Sequence, residues 1–239
     1  MTIMLEKQRL QVAKTALGLL ESGLVVNTSG NVSIRIDDFV VITPSGCAYE
    51  NLKAEDILVL DMDGNSVDGD LLASSETPLH LSVYASDPGI RSIVHTHSIY
   101  ATAVSTLLTE LPAIHYQIGD LGGPVPVAPY QTFGTPELAA SVTDAIRGRS
   151  AALMQNHGAV TVADTVEQAL ARSVTLEWLA RLYLIAKQSG SPSLIDNDEL
   201  ERVNQKQSRL REEQEQRLAA RPVANCCAND TPEADDEGL

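Results

Sequence analysis

The spacing of apolar residues changes near residue 23, and this change limits the chain to folds that combine helices with a sheet. Residues 5–22, LEKQRLQVAKTALGLLES, place Leu and Val at helical spacing and stop before Gly23, which predicts an amphipathic helix. The next apolar segments are short, and turn residues such as DMDGN separate them. They predict an antiparallel meander with strands in NVSIRI (31–36), FVVITP (39–44) and DILVLD (56–61).

Helices and strands then alternate along the rest of the chain. Pro78 suits a first helical turn and Pro88-Gly89 suits a helix end, so residues 76–89 predict a helix. Further helices are predicted in 99–108, 135–148 and 165–188, and further strands in 92–97, 125–130, 150–155 and 159–164. This order predicts an α/β fold, a three-layer sandwich whose largely antiparallel central sheet is flanked by helices.

The chain divides by composition into three parts. With 239 residues, of which 44% are apolar, it can bury one sizeable core, and we expect the main domain in residues 1–195. Residues 196–220 are polar and helix-prone, and we expect them to form a lid or to pack on a neighbour. Residues 221–239 are acidic and lack apolar periodicity, which predicts a disordered tail.

The charge of the chain limits its partners. A formal net charge of −15 argues against binding nucleic acid or an anionic membrane, because both require clustered Lys and Arg. An anionic small substrate remains compatible with this charge, since backbone N–H groups and helix N-termini can hold a phosphate.

The sequence lacks the features that are typical of an exported or membrane protein. The sequence has no run of about 20 apolar residues, and its N-terminus becomes charged too early for a signal peptide. Its cysteines, Cys47 and the adjacent Cys226 and Cys227, match neither a disulfide framework nor a Cys-based zinc site. We therefore expect a cytoplasmic protein.

Two histidines, His95 and His97, lie two positions apart in the apolar segment IVHTHS. Side chains at i and i+2 of a strand project from the same face, so both imidazoles can reach one ion at the roughly 2.0–2.1 Å of a Zn–N bond. His157, at the end of an apolar strand, and Glu76, just before a helix, are further candidate ligands that would complete a set suited to Zn²⁺. Structural roles are the alternatives: hydrogen-bonded histidines, and an acid favoured by the helix dipole.

Three loops combine small residues with hydroxyl and amide side chains. They are TSGN (28–31), TPSG (43–46) and ASS (73–75). Such loops can hold a phosphate without a lysine, although each loop taken alone is more typical of a turn. The sequence contains neither a Walker A motif nor G-x-G-x-x-G, so it gives no support to nucleotide binding.

These motifs occur together in the order and spacing of a known family. The segments GNVSIR, ITPSG, SSETPLH, IVHTH, LPAIHY, APYQTFGT and QNHGAV, between residues 5 and 190, resemble the class II aldolase/adducin family. The resemblance implies the fold of that family in a catalytic domain. It also implies an enzyme with one Zn²⁺ or other divalent metal per subunit, in a C4 homotetramer with active sites at subunit interfaces. The implied reaction cleaves a ketose 1-phosphate, L-fuculose 1-phosphate or a related deoxy-ketose phosphate, to dihydroxyacetone phosphate and an aldehyde.

The resemblance also assigns roles to single residues. His95, His97 and His157 match the zinc histidines of the family, and Glu76 matches a carboxylate that leaves the metal and serves as acid/base. Tyr116 matches a tyrosine that the neighbouring subunit supplies to protonate the departing alkoxide. The phosphate-binding positions match Gly30, Asn31, Ser45, Gly46, Ser74 and Ser75.

The residue types suit a metal-assisted mechanism. Breaking a C–C bond next to a carbonyl leaves an enediolate, and a divalent cation can stabilise that negative charge as a Lewis acid. A Schiff-base aldolase would instead need a lysine in an apolar pocket. The lysines of this chain lie in polar or helix-surface contexts, which disfavours that mechanism: Lys7, Lys14, Lys53, Lys187 and Lys206.

The C-terminal segment departs from the family pattern. The aldolases that this chain resembles carry a tyrosine there that closes over the aldehyde, whereas the nearest position here is Ser208, so the aldehyde is left open. Two alternatives are enzymes of the same family. One is an L-ribulose-5-phosphate 4-epimerase, whose metal carboxylate is typically an aspartate where this chain has Glu76, and the other is a methylthioribulose-phosphate dehydratase. A third is a non-catalytic adducin-like interaction module, but such modules lack the histidine cluster.

Overall fold

A computed structural model describes residues 3–219, which form helices and strands in alternation. The helices are α1 (Glu6–Glu21), α2 (Thr77–Ser86), α3 (Ile99–Leu107), α4 (Pro136–Ile146), α5 (Val166–Gln188) and α6 (Asn197–Ala219). The strands are β1 (Asn31–Ile36), β2 (Phe39–Ile42), β3 (Leu58–Asp61), β4 (Ser66–Asp68), β5 (Ser92–Thr96), β6 (Glu110–Leu111), β7 (Val125–Ala128), β8 (Ala151–Met154) and β9 (Gly158–Ala163). Within residues 3–219, none of the helices combines the length and the apolar character needed to cross a bilayer.

The strands form one sheet in the order β4-β3-β2-β1-β5-β9-β8-β7-β6. Strands β7 and β8 run parallel, and the other neighbours are antiparallel. Strand β5 lies in the middle, between β1 and β9, and is buried along its whole length. The segment IVHTH therefore lies at the centre of the protein.

Helices cover both faces of this sheet. On one face, α2 and α4 pack on an apolar cluster that includes Ile93. On the other face, α1 and α5 pack on a cluster that includes Val94, and α3 packs beside α5 in a third cluster. Because Ile93 and Val94 are consecutive in β5, they point to opposite faces, and His95 shares the face of Ile93, against α2. The predicted three-layer α/β sandwich with a largely antiparallel sheet is confirmed.

The predicted helices and strands are also confirmed, with ends that differ by a few residues. Two strands are additional to the prediction. Strands β4 and β6 contain 3 and 2 residues, and such short strands cannot show a period-2 alternation that sequence reasoning would detect.

The helix-prone C-terminal segment contains α6. Its Leu200 is buried, and Arg211 donates a hydrogen bond of 2.7 Å to Asp120 in the 3₁₀ turn Tyr116–Leu121. Helix α6 therefore packs on a turn of its own chain. The boundary at residue 195 stays a prediction, and the tail 221–239, with its two cysteines, lies outside the described residues.

Candidate active site

The four predicted metal ligands meet at one place. One donor atom from each of Glu76, His95, His97 and His157 lies within 4.8 Å of all the others. Nε2 of His95 is 2.9 Å from Oε2 of Glu76 and 2.9 Å from Nε2 of His97. Nε2 of His157 is 3.3 Å from Oε1 of Glu76. The fold thus gathers three imidazoles and one carboxylate around a common point.

The ends of three elements bring these ligands together. The histidines of IVHTH lie at the end of β5, His157 directly precedes the neighbouring strand β9, and Glu76 is the residue before α2. Strands β5 and β9 approach so closely that a Cβ on Gly158 would collide with the carbonyl oxygen of Thr96. Glycine at this position therefore lets His157 approach the ends of β5.

His95 is oriented with its Nε2 toward the cluster. Its Nδ1 is 2.9 Å from the carbonyl oxygen of Ala159, and because a carbonyl can only accept, Nδ1 carries a hydrogen. In the neutral imidazole the lone pair is then on Nε2, which is the orientation that a metal ligand requires.

The four groups influence each other's ionisation. Burial opposes ionisation of Glu76, but the charge and hydrogen bond of His95, with smaller contributions from His157 and Asn31, hold its pKa well below the usual range. Burial lowers the pKa of His97 to about 3 and that of His157 to about 4, and the charge of His95 adds to both effects. Burial acts on His95 in the same direction, but the Glu76 carboxylate raises its pKa overall. At neutral pH the cluster therefore holds an anionic carboxylate beside neutral imidazoles at His97 and His157.

This donor set fits a divalent metal ion. Oε1 of Glu76 is buried and accepts no hydrogen bond from any residue in the range 3–219. The Nε2 atoms of His95 and His97 face each other, an arrangement that is favourable when a proton or a cation lies between their lone pairs. Imidazole ligands suit zinc, copper, iron and nickel, whereas magnesium and calcium prefer oxygen ligands.

We expect the affinity of this cluster for Zn²⁺ to fall as the pH decreases. A metal binds only the deprotonated imidazole, and the raised pKa of His95 means that protons compete from above its ordinary value of 6.5. Acid therefore favours the metal-free form, and the affinity should drop about tenfold per pH unit below that pKa. Competition with a chromophoric chelator between about pH 6 and 8 measures this dependence. An affinity that does not change over this range would contradict the expected role of His95.

A cavity of about 350 Å³ opens onto the cluster. Glu76, His97 and His157 line it, while His95 is buried behind them. No Lys or Arg is among its lining residues in the part of the chain that the structure describes. The residues predicted to bind phosphate all line this cavity: Gly30, Asn31, Ser45, Gly46, Ser74 and Ser75.

The start of α2 can attract an anion into this cavity. Ser74 and Ser75 lie just before the helix, and Glu76 is its N-cap residue. A helix N-terminus carries a partial positive charge of about half an elementary charge. The first N–H groups of α2 already bond within the chain, so the helix offers an anion this charge rather than free N–H groups. Together with the hydroxyl groups of the serines, this partial charge can favour a phosphate in a cavity without basic side chains.

The six residues predicted to bind phosphate are called the phosphate cradle. Its Gly30 lies directly against His95 of the ligand cluster, and we expect Gly30→Ala to damage both. Gly30 has a φ of +79°, and a Cβ there would lie 2.8 Å from the carbonyl oxygen of His95 and 2.7 Å from Cγ1 of Val25. We expect the free energy of unfolding to fall by about 1–3 kcal/mol and the affinity for inorganic phosphate to fall by about tenfold. Denaturant unfolding and phosphate inhibition measure these effects.

Gly148→Ala is the matched control for this substitution. Gly148 has a similar φ of +69°, but a Cβ there would meet nothing within 4 Å, and the residue lies outside the cavity. It therefore carries the same backbone cost without the collision. Equal losses of stability and of phosphate affinity in the two variants would contradict a special role for Gly30.

Several residues of the cavity were not predicted as site residues, although most lie in motifs that were noted. Tyr130, Gln131 and Phe133 belong to APYQTFGT, and the loop they form is held on the cradle at Gly134, where a Cβ would be 2.9 Å from the carbonyl oxygen of Ser75. The other unpredicted lining residues belong to the segments TSGN and QNHGAV and to the start of TPSG: Thr28, Ser29, Pro44 and Asn156.

Two residues singled out from the sequence lie outside this cavity. Tyr116 begins the 3₁₀ turn, is 44% exposed, and packs its ring against His115 with 4.4 Å between the ring centroids. Ser208 is exposed on α6. A role for Tyr116 in catalysis therefore requires a second copy of the chain, and that role stays a prediction.

Comparison with known proteins agrees with this geometry. Residues 10–184 match the family described as class II aldolase and adducin N-terminal domain. An L-fuculose phosphate aldolase of Escherichia coli K12 is 40% identical over 190 residues, which are 79% of this chain and 88% of that protein. A 5-deoxy-D-ribulose 1-phosphate aldolase of Bacillus thuringiensis serovar kurstaki is 37% identical over 206 residues, which are 85% of this chain and 97% of that protein.

A solved structure has the same fold. An L-fuculose 1-phosphate aldolase superposes with a TM-score of 0.82 at 36% identity, over 84% of this chain and 96% of that one. The family match, the relatives and the shared fold lead to one conclusion: the chain belongs to the class II aldolase and adducin family and is one of the metal-dependent lyases of that family.

Proposed function

We propose that this enzyme reversibly cleaves a ketose 1-phosphate to dihydroxyacetone phosphate and an aldehyde. The observation that carries the proposal is the position of the three histidines and Glu76 in the same cavity as the phosphate cradle. In a ketose 1-phosphate the phosphate and the carbonyl lie on adjacent carbons. A phosphate held by the cradle would therefore direct the carbonyl oxygen toward the cluster.

In this proposal, Nε2 of His95, His97 and His157 holds the cation, with Zn²⁺ as the first choice because imidazole suits it. When bound, the cation supplies Lewis acidity that stabilises the negative charge growing on the carbonyl oxygen as the C–C bond breaks. A Schiff-base mechanism would need a lysine as the nucleophile. Within residues 3–219 all the lysines are exposed and none lines the cavity, so no lysine is placed for that role.

Glu76 is proposed to move the proton at C3. Its two oxygens differ, since Oε2 accepts a hydrogen bond from Asn31, whereas Oε1 lacks a hydrogen-bond donor within residues 3–219. In the direction of aldol formation, Oε1 would accept the C3 proton of dihydroxyacetone phosphate, and cleavage returns it. A carboxylate with one held oxygen and one free oxygen can do this without losing its position.

The complete site is proposed to include Tyr116 of a neighbouring copy in a C4 homotetramer. During aldol formation its hydroxyl group would protonate the aldehyde oxygen that becomes a hydroxyl group, and cleavage would reverse this step. Tyr116 belongs to a row of aromatic rings at the surface, because the ring centroid of His115 lies 4.4 Å from that of Tyr116 and 4.9 Å from that of Trp178, which is 44% exposed. Apolar surfaces of this kind are typical of contacts between subunits.

Mixed oligomers of Tyr116→Phe and Glu76→Gln should regain activity that neither variant has alone. If each site takes Glu76 from one subunit and Tyr116 from the next, a random equal mixture leaves about a quarter of the sites intact. We therefore expect about a quarter of the wild-type rate after the two variants are unfolded and refolded together. No recovery, in oligomers shown by light scattering to be mixed, would place Tyr116 outside the neighbour's site.

The substrate is proposed to be L-fuculose 1-phosphate or a 5-deoxyribulose 1-phosphate. Relatives that cover most of this chain carry these two activities in their names. The aldehyde produced from either would be small, and the aromatic rings of Tyr130 and Phe133 line the same cavity. The cytoplasmic location stays a prediction.

A coupled assay over a panel of ketose 1- and 5-phosphates tests the function. Zinc-loaded protein should release dihydroxyacetone phosphate from at least one 1-phosphate. Conversion of L-ribulose 5-phosphate to its epimer without triose release would identify an epimerase instead. No turnover of any sugar phosphate by metal-replete protein would overturn the proposal.

A further inference from the structure

A row of polar side chains is buried between β1 and α2, behind the metal cluster. Glu76, His80 and Tyr84 are spaced four residues apart, or about 6 Å along a helix. Asn31 and Ser33 are two residues apart on one face of β1, which is about 7 Å along a strand. Because these repeats almost match, helix and strand residues can interleave along the contact. Such a row is unusual in an interior that is otherwise apolar on this face of the sheet.

The five side chains form one continuous chain of hydrogen bonds. The Tyr84 hydroxyl is 2.7 Å from Oγ of Ser33, and that oxygen is 2.6 Å from Nδ1 of His80. Nε2 of His80 is 2.5 Å from Oδ1 of Asn31, and Nδ2 of Asn31 donates to Oε2 of Glu76 at 3.0 Å. All five side chains are buried.

The direction of every bond in this chain follows from its end at the carboxylate. An ionised Glu76 can only accept, so Asn31 presents its NH₂ to Glu76 and its carbonyl oxygen to His80. His80 must then carry its hydrogen on Nε2 and accept at Nδ1 from the hydroxyl of Ser33, which accepts from Tyr84. Burial lowers the pKa of His80 to about 3, and the charge of His95 adds to this effect, so the ring is neutral.

We propose that His80 is a positioning residue, which fixes the amide of Asn31 so that Asn31 holds one oxygen of Glu76 and leaves the other free. Without the donor at Nε2 of His80, the amide of Asn31 could rotate and turn its carbonyl oxygen toward the carboxylate. Two acceptors would then face each other in a buried position, which is costly. The expected effect on proton transfer by Glu76 rests on the proposed function. The expected effect on metal binding rests only on the presence of Glu76 in the ligand cluster.

Packing alone does not explain these polar groups. Replacing both partners of a buried hydrogen bond by apolar groups of the same shape is nearly neutral or even stabilising. Five polar residues in this position therefore add little to the stability of the fold compared with apolar residues of the same shape. What the row can provide is a fixed orientation of Glu76. Each hydrogen bond in the row has a defined donor and acceptor, and the row ends on this carboxylate.

Two amide variants of His80 test the proposal. In His80→Gln the side-chain NH₂ can reach the position of Nε2 and still donate to Asn31, whereas the shorter side chain of His80→Asn cannot. We expect His80→Asn to reduce kcat by about tenfold to a hundredfold with little change in KM, and to weaken zinc affinity by about tenfold. His80→Gln should stay within about fivefold of wild type in both measurements.

A half-reaction connects the effect to Glu76. Wild-type protein should exchange the C3 proton of dihydroxyacetone phosphate with deuterium from solvent in the absence of aldehyde. This exchange should slow in His80→Asn by the same factor as kcat and should be restored in His80→Gln. Equal losses in the two variants would mean that His80 acts only in packing and would overturn the proposal.

The result separates this inference from the proposed function. If wild-type protein neither releases nor exchanges dihydroxyacetone phosphate, the proposed function fails, and the zinc affinities of the two variants still decide the role of His80. If neither variant folds, the ¹⁵N spectrum of histidine-labelled wild-type protein gives the answer. A hydrogen on Nε2 of His80 supports the chain of bonds, and a hydrogen on Nδ1 overturns it.

Discussion

Replacing Glu76 by Gln will reduce kcat by about 10³-fold, the size of effect expected when a general acid/base is lost. Glutamine keeps the shape of the side chain and can still accept a hydrogen bond from Nδ2 of Asn31, but its amide cannot take a proton from carbon. The phosphate cradle is unchanged, so inhibition by inorganic phosphate should stay near the wild-type value. The rate of cleavage and the exchange of the C3 proton with solvent, both at saturating Zn²⁺, measure the effect.

Two controls separate proton transfer from a change in charge or in metal content. Glu167→Gln makes the same substitution on the first turn of α5, outside the cavity, and should keep the wild-type rate. Metal analysis of Glu76→Gln should show bound zinc, because the three histidines remain. If Glu76→Gln retains its metal and exchanges the C3 proton at the wild-type rate, another group carries that proton and the assignment is wrong.

The ligand cluster illustrates how far sequence reasoning reaches. The spacing of His95 and His97 predicts that both project from one face of a strand, and the structure shows them 2.9 Å apart at the end of β5. Their meeting with His157 depends on the pairing of β5 with β9, and strand pairing between distant segments is not encoded in a local pattern. The prediction that His157 joins the other two histidines therefore came from the family resemblance, because the members of a family share the same strand pairing.

The polar row between β1 and α2 shows what local patterns miss. Glu76, His80 and Tyr84 at intervals of four, and Asn31 and Ser33 at an interval of two, are visible in the sequence. Nothing local shows that this helix packs on that strand, or that the two repeats lie in register. Considered separately, the residues are typical of a helix surface and of a strand in which polar and apolar residues alternate. Only the packing of α2 on the sheet joins them in one row of hydrogen bonds.

Tyr116 marks a different limit. The sequence motif LPAIHY points to it, but its side chain is 44% exposed and lies outside the cavity of its own chain. A residue that serves a neighbouring subunit looks like any exposed aromatic residue when one chain is considered. Physical reasoning on a single chain can therefore locate the ligand cluster and its cavity, whereas the role proposed for Tyr116 can be tested only with a second copy of the chain.

Removal of the metal should have the largest effect of all, a loss of about 10⁴-fold in the rate of cleavage. A Lewis acid at the carbonyl oxygen contributes several kcal/mol to the transition state, and about 1.4 kcal/mol corresponds to tenfold in rate. The protein offers no replacement for that charge, since no Lys or Arg lines the cavity within the described residues. Dialysis against a chelator, followed by the coupled assay in metal-free buffer, measures the loss.

Restoration with different cations then tests the ligand set. Zn²⁺ should restore the rate and raise the midpoint of thermal unfolding, because a ligand that binds only the folded state stabilises it. Mg²⁺ should do neither, since it prefers oxygen ligands and three of the four donors here are imidazole nitrogens. His97→Ala should need a higher Zn²⁺ concentration for the same rate, because it removes one of these nitrogens. A metal-free protein that still cleaves substrate at the wild-type rate would leave Glu76 without the cation on which its proposed chemistry depends, and the cluster would have to be assigned a structural role.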